Sequence, residues 1–264
     1  MTARRGWTRE ELLVAFNLYC LLPFGKLHSR NPDIIKYSQL IGRTPSALAM
    51  KLSNIASLDP AITSTGRRGL KGTSAADKAM WEEMQSNWER FAMASWHAMK
   101  AFEEQAGERQ PPGEKDWMDD VDDYTGAERV VAAKSRIGQD FFRRAVLSAY
   151  DYRCCITGLA VPQLLVASHI VPWKNDAANR LNPRNGLSLS MLHDKAFDIG
   201  IVTISEDMTV RVSRKKMHEG DDFFVSALLD YDGKTITLPE KFEPSPDFLE
   251  YHREHVFEGG RDTL

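Results

Sequence analysis

Cysteine is scarce in this chain: three in 264 residues, Cys20, Cys154 and Cys155, with no Cys-x-x-Cys pair among them. Adjacent cysteines cannot easily bridge each other, so a disulfide framework is excluded, and so is a four-cysteine zinc site. Long apolar runs are missing too. No stretch approaches the roughly 20 residues that a membrane-spanning helix needs, and the opening Met1-Thr-Ala-Arg-Arg-Gly-Trp7 has no apolar core of a secretion signal. The expectation is a soluble cytoplasmic chain with no membrane partner. What remains is an ordinary globular composition, which suits one large domain or two small ones.

The net charge of −3 hides a division. Lys and Arg against Asp and Glu number 14 to 10 over residues 1–105, 2 to 8 over 106–128, and 18 to 19 over 129–264. Acid is concentrated in the short middle segment, which also holds Pro-Pro-Gly and little periodic apolar content. It reads as a solvated linker between domains 1–105 and 129–264. An alternative is that it covers a basic groove as a mimic of a nucleic-acid backbone.

Helical periodicity dominates the first domain. Thr8-Arg-Glu-Glu11 looks like a capping box ahead of Leu12, Leu13, Phe16, Tyr19 and Cys20. A second helix follows Pro32 and ends near Gly42; Thr44-Pro-Ser46 then opens a third with Leu48, Leu52 and Ile55 on one face. Helix, Gly-containing turn and helix is the layout of a helix-turn-helix. Downstream, Thr65-Gly-Arg-Arg-Gly-Leu-Lys-Gly72 is a basic, flexible loop whose Arg67, Arg68 and Lys71 suit phosphate contacts. One long helix from about Ala75 to Gln105, rich in tryptophan, would pack the module. Tryptophan at such spacing is more often core than a base-stacking platform.

The chemistry lies further on. A helix through Phe141, Phe142, Val146 and Tyr150 precedes Val166-Ala-Ser-His-Ile-Val-Pro-Trp173, which reads as a strand ending in a loop. Asn185-Gly-Leu-Ser-Leu-Ser-Met-Leu-His-Asp-Lys-Ala-Phe-Asp198 reads as a short second strand followed by a helix. Ile201 to Ser213 then suggests two alternating strands, and Tyr231 to Leu238 a further hairpin or strand pair. The fold class expected is α+β, a helical N-terminal domain joined to a domain of two strands and a helix with additional short strands.

This ordered set, from about Arg136 to Arg211, resembles the HNH endonuclease family, whose members fold as a ββα-metal unit, and in particular its bacterial restriction-type branch. The tail with His252-Arg-Glu-His255 and the N-terminal Ile41 to Leu52 segment resemble parts found joined to such nucleases. The resemblance implies His169 as general base and Asn185 as the residue that orients it. It implies His193 as metal ligand, with Asp198 and Asp194 close by as further ligands or as groups that orient it. Many members carry an acidic or histidine ligand just before the base, where this chain has Ser168. Zinc-stapled members carry Cys-x-x-Cys where this chain has Cys155-Ile-Thr-Gly158 and Ser190-Met-Leu-His193, so no structural zinc is expected.

One divalent ion, Mg²⁺ first and Mn²⁺ second, is the cofactor this implies, with double-stranded DNA as partner and no small-molecule cofactor. Arg180 and Arg184, between base and metal helix, are candidates for phosphate contact. A homodimer would give cleavage of both strands. The function implied is a DNA endonuclease of a restriction or phage-defence system. The alternatives are a DNA-binding regulator on an inactive nuclease fold, and a nuclease effector held inactive until a signal or partner arrives.

Overall fold

A computed structural model describes residues 5–64, 72–107, 126–215 and 221–259, with backbone only for 126–131. Arg67, Arg68 and Lys71, and most of the acidic 106–128 segment, lie outside the described residues. The chain divides into two compact units, Met1–Phe141 and Phe142–Leu264.

The first unit is built on α1 (Arg9–Leu21), buried continuously from Glu11 to its end. Thr8 and Glu11 close the expected capping box, which satisfies two of the backbone donors left free at a helix start. α2 (Pro32–Leu40) starts on Asn31, whose side chain accepts from the amides of Asp33 and Ile34. Gly42 turns the chain in the left-handed region, and Thr44 caps α3 (Pro45–Ala56). α2 and α3 are thus two short helices joined through Gly42, followed by a short α4 (Pro60–Thr63).

Arg43 and Lys51, the cations of the turn and of α3, face inward. Arg43 binds Glu11 at 2.7 Å, and Lys51 binds the buried Asp77 at 2.7 Å. Both also flank the Trp7 ring, at 4.7 and 4.9 Å from its centroid. The face of α3 left accessible carries Ser46, Ala47, Ala49, Met50, Ser53 and Asn54, none of them charged.

The single helix expected from Ala75 to Gln105 is instead two, α5 (Ala75–Ser86) and α6 (Trp88–Gln105). Asn87 makes the break: its backbone is extended, its amide closes α5 on Glu83, and its side chain caps α6 by accepting from Arg90 N. Trp88 and Phe91 of α6 are buried and pack with Phe141, so these aromatics are core.

Phe141 and Phe142 lie in α7 (Gly126–Ala149), the helix within which the two units divide. In the second unit β1 (Leu165–His169) pairs antiparallel with β2 (Gly186–Ser190), and α8 (Met191–Asp198) follows at once. β3 (Val202–Ile204) and β4 (Val210–Val212) form the second small sheet. The hairpin expected over Tyr231 to Leu238 is reduced to a bridge between Thr235 and Thr209, because the segment leans on β4 rather than folding on itself. α9 (Asp222–Ala227) and α10 (Pro246–His255) complete the unit. Antiparallel pairs among many helices make the fold α+β.

Candidate active site

His169 is the last residue of β1 and pairs with Gly186. Its ring lies flat on Phe142, 3.9 Å between centroids and 10° between planes, and meets Trp173 edge-on at 5.4 Å. The stack requires α7 to approach the hairpin closely. Gly186 permits it, since a Cβ there would come within 2.4 Å of Val146 and 3.0 Å of Phe142. Nε2 of His169 lies 2.9 Å from the carbonyl of Arg180. A carbonyl only accepts, so the neutral ring carries its proton on Nε2 and keeps the Nδ1 lone pair. Burial lowers the imidazole pKa below its ordinary value, and the Arg180 carbonyl and the Asp194 charge oppose that shift.

Between the strands the chain makes a loop closed by Asn185, which is fully buried. Its Oδ1 accepts from Val171 N at 2.8 Å, and its Nδ2 donates to Val171 O at 3.2 Å and Asn179 O at 3.4 Å. Its own carbonyl accepts from Ile170 N at 3.0 Å. The amide thus fixes both ends of the loop whose Arg180 carbonyl sets the His169 tautomer.

α8 separates the expected metal residues. Ser190 caps the helix, and its hydroxyl lies 2.8 Å from His193 Nδ1. The His193 ring is 4% exposed and sits edge-on to Tyr231 at 5.4 Å. Its Nε2 makes no hydrogen bond of ordinary geometry. Burial lowers its pKa, partly offset by the Ala227 backbone. Asp194, one residue on and about 100° around the helix, lies instead on the side of His169. Burial raises its carboxyl pKa, against the pull of Ser168, Lys195 and His169. The Ser168 hydroxyl is buried with no hydrogen bond of ordinary geometry, yet its dipole acts on Asp194. Asp198, one turn further, is raised by burial and by the Asp194 charge.

Two carboxylates one turn apart, beside an imidazole, suit a hard cation such as Mg²⁺, which takes one or two carboxylates and completes its shell with water and phosphate. Among the described residues no three of His, Cys, Asp and Glu come together to hold a metal. His252 and His255 do not converge: His252 is buried, while His255 is exposed and bonded to the Tyr251 carbonyl through Nδ1 at 3.0 Å.

Four described arginines of this unit, Arg143, Arg153, Arg184 and Arg253, hold backbone carbonyls. Arg184 Nε donates to Glu243 O at 3.1 Å, and Arg143 Nη1 to Leu165 O at 2.9 Å. The Arg180 guanidinium stacks on Trp173, 5.2 Å from the centroid, and Trp173 in turn meets His169. Phe142 and Ser190 were functional neighbours that sequence spacing did not single out. Phe142 had only its place on an apolar helix face as a signal, and Ser190 only its place ahead of a helix.

No curated protein matches the chain. One segment does match a known family: residues 154–205, which hold the β1–β2 hairpin, the loop closed by Asn185 and the helix of Asp194, are similar to the HNH endonucleases, a family of nucleases that generally cut DNA with a divalent metal.

Proposed function

We propose that the second unit is a metal-dependent DNA endonuclease with His169 as general base and with Asp194 and Asp198, rather than His193, as the protein's cation ligands. The observation that carries this reading is the state of His169. Its Nε2 is committed to the Arg180 carbonyl, its ring is clamped on Phe142, and Nδ1 has no hydrogen-bond partner among the described residues. Nδ1 accepts a proton from water, and the Arg180 carbonyl and the Asp194 charge stabilise the imidazolium that results. Asn185 keeps the loop, and so that carbonyl, in place.

A bound Mg²⁺ or Mn²⁺ would neutralise the oxygen leaving phosphorus. Asp194 and Asp198 supply the hard oxygen donors for it, and Lys195 offsets part of their mutual repulsion. His193 keeps α8 in register with the hairpin through Ser190. Arg180, stacked on Trp173 next to the base, and Arg184, whose Nε donates to the Glu243 carbonyl, are the loop arginines proposed for phosphate contact.

The first unit serves as a targeting or docking module, with Arg67, Arg68 and Lys71 as its phosphate contacts, since Arg43 and Lys51 are paired internally. A targeting module joined to a nuclease suits a restriction or phage-defence role. A DNA-binding regulator on a silent nuclease fold is favoured by one observation, that among the described residues two carboxylates, and no larger ligand group, gather at the site.

Incubation with supercoiled plasmid in Mg²⁺, Mn²⁺ or EDTA separates these readings. Metal-dependent nicking or linearisation lost in His169→Ala supports the endonuclease. Cutting by purified His169→Ala overturns the assignment of the base, and DNA binding without cutting under any condition favours the regulator.

A further inference from the structure

α10 lies beyond the segment matched to the nuclease family, which ends at residue 205. Three consecutive side chains on it nevertheless reach three parts of the site's frame. Tyr251 OH accepts from Asn175 in the loop between β1 and β2, at 2.7 Å. Arg253 donates to Ile204 O in β3, at 3.2 Å.

His252, between them, is 1% exposed and stacks on Phe197 of α8 with 3.6 Å between centroids and 13° between planes. Its Nε2 is 3.1 Å from the Phe197 carbonyl and its Nδ1 2.8 Å from Thr203 Oγ1. The carbonyl requires a proton on Nε2, so Nδ1 accepts from the threonine hydroxyl and both ring nitrogens are satisfied.

Phe197 belongs to the last turn of α8, next to Asp198. That turn needs support. The helix has eight residues, its end would fray alone, and a carboxylate at a helix C-terminus opposes the helix dipole. Support is concentrated there: Gly200 N also donates to Phe197 O at 3.0 Å, and Glu258 N to Gly200 O at 2.9 Å. Gly200 has φ +72, and a Cβ on it would lie 2.0 Å from the Val256 carbonyl, so the chain leaving α8 runs directly against the end of α10.

We propose that His252 is a positioning residue of the nuclease site: its stack on Phe197 and its two hydrogen bonds hold the last turn of α8 so that Asp198 and Asp194 face one cation together. This rests on the reading that these carboxylates bind the ion.

The test is Mn²⁺ binding to the full chain by calorimetry without DNA, alongside thermal unfolding in EDTA. His252→Phe keeps a stacking ring and removes both hydrogen bonds; it should weaken Mn²⁺ binding about tenfold, the usual cost of losing a group that orients a ligand. His252→Gln, whose amide can donate to the Phe197 carbonyl, should recover most of the loss. Leu249→Ala, a buried truncation on the same helix, should lower the unfolding temperature and leave Mn²⁺ affinity unchanged. Wild-type affinity in His252→Phe, or an equal loss in Leu249→Ala, overturns the proposal. Should His252→Phe not fold, Thr203→Val replaces it, with a smaller loss expected and an unchanged affinity overturning. If Asp194→Asn binds Mn²⁺ as wild type does, the carboxylate reading itself fails and the proposal falls with it; if only the His252 variants bind normally, positioning alone is refuted.

Discussion

The imidazole of His169 lies face to face with the ring of Phe142; the Arg180 carbonyl binds the imidazole, and the missing Cβ of Gly186 leaves room for the phenyl ring. The stack fixes the plane of the ring, and the carbonyl fixes its rotation within that plane. Phe142→Leu should therefore retain the fold at a cost of about 1 kcal/mol and lower the cleavage rate by roughly ten- to a hundredfold, the scale of a misplaced reacting group. Rates at saturating DNA and metal, with thermal unfolding as the control, check this.

Gly186→Ala should overfill the same contact. Its Cβ would fall within 2.4 Å of the Val146 side chain, and α7 must move to admit it. A loss of about 1–3 kcal/mol in denaturant unfolding is expected, with cleavage falling further than stability because Phe142 moves with α7.

His193 and Asp194 should separate cleanly. Asp194→Asn is expected to abolish detectable Mn²⁺ binding while the chain remains folded. His193→Gln is expected to keep Mn²⁺ binding and lose stability, because it disturbs the buried contacts with Ser190 and Tyr231. The reverse pattern in calorimetry would restore His193 as the ligand.

Acid should destabilise the second unit through His252, whose pKa burial lowers to about 4, with the neighbouring Arg253 charge acting in the same direction. The folded ring stays neutral where the unfolded one, near pH 6.5, takes up a proton. Stability from this group is complete above about pH 6.5 and falls as pH drops toward about 4, by up to roughly 3 kcal/mol. Urea unfolding at pH 7 and pH 4.5 should show the loss in wild type and a smaller one in His252→Gln.

The β1–β2 hairpin and its helix were legible because their signals are local: an apolar strand ending in His169, an Asn-Gly turn, and a helix start, all within some thirty residues. Which of His193 and Asp194 lies on the side of His169 was not. Neighbours on a helix point in different directions, and which one faces His169 depends on how α8 is rotated on the hairpin. Ser190, capping the helix and binding His193 together, sets that rotation. The break at Asn87 was hidden because apolar residues keep helical spacing across it, and only the side-chain cap on Arg90 N reveals it. The His252 contact joins residues 55 apart to the Phe197 carbonyl, a separation at which no sequence pattern carries information.

Arg43 and Lys51 bear on how the first unit would grip DNA. Each neutralises an acid inside the module, Glu11 and Asp77, so neither displaces counterions from a phosphate backbone. If the module binds DNA, its cations in play are those of the 65–72 loop together with the exposed Lys26, Arg30, Lys78 and Arg90. Each phosphate contact that forms adds about −0.9 to the slope of the logarithm of affinity against the logarithm of salt, so a salt titration counts how many of these cations reach the backbone.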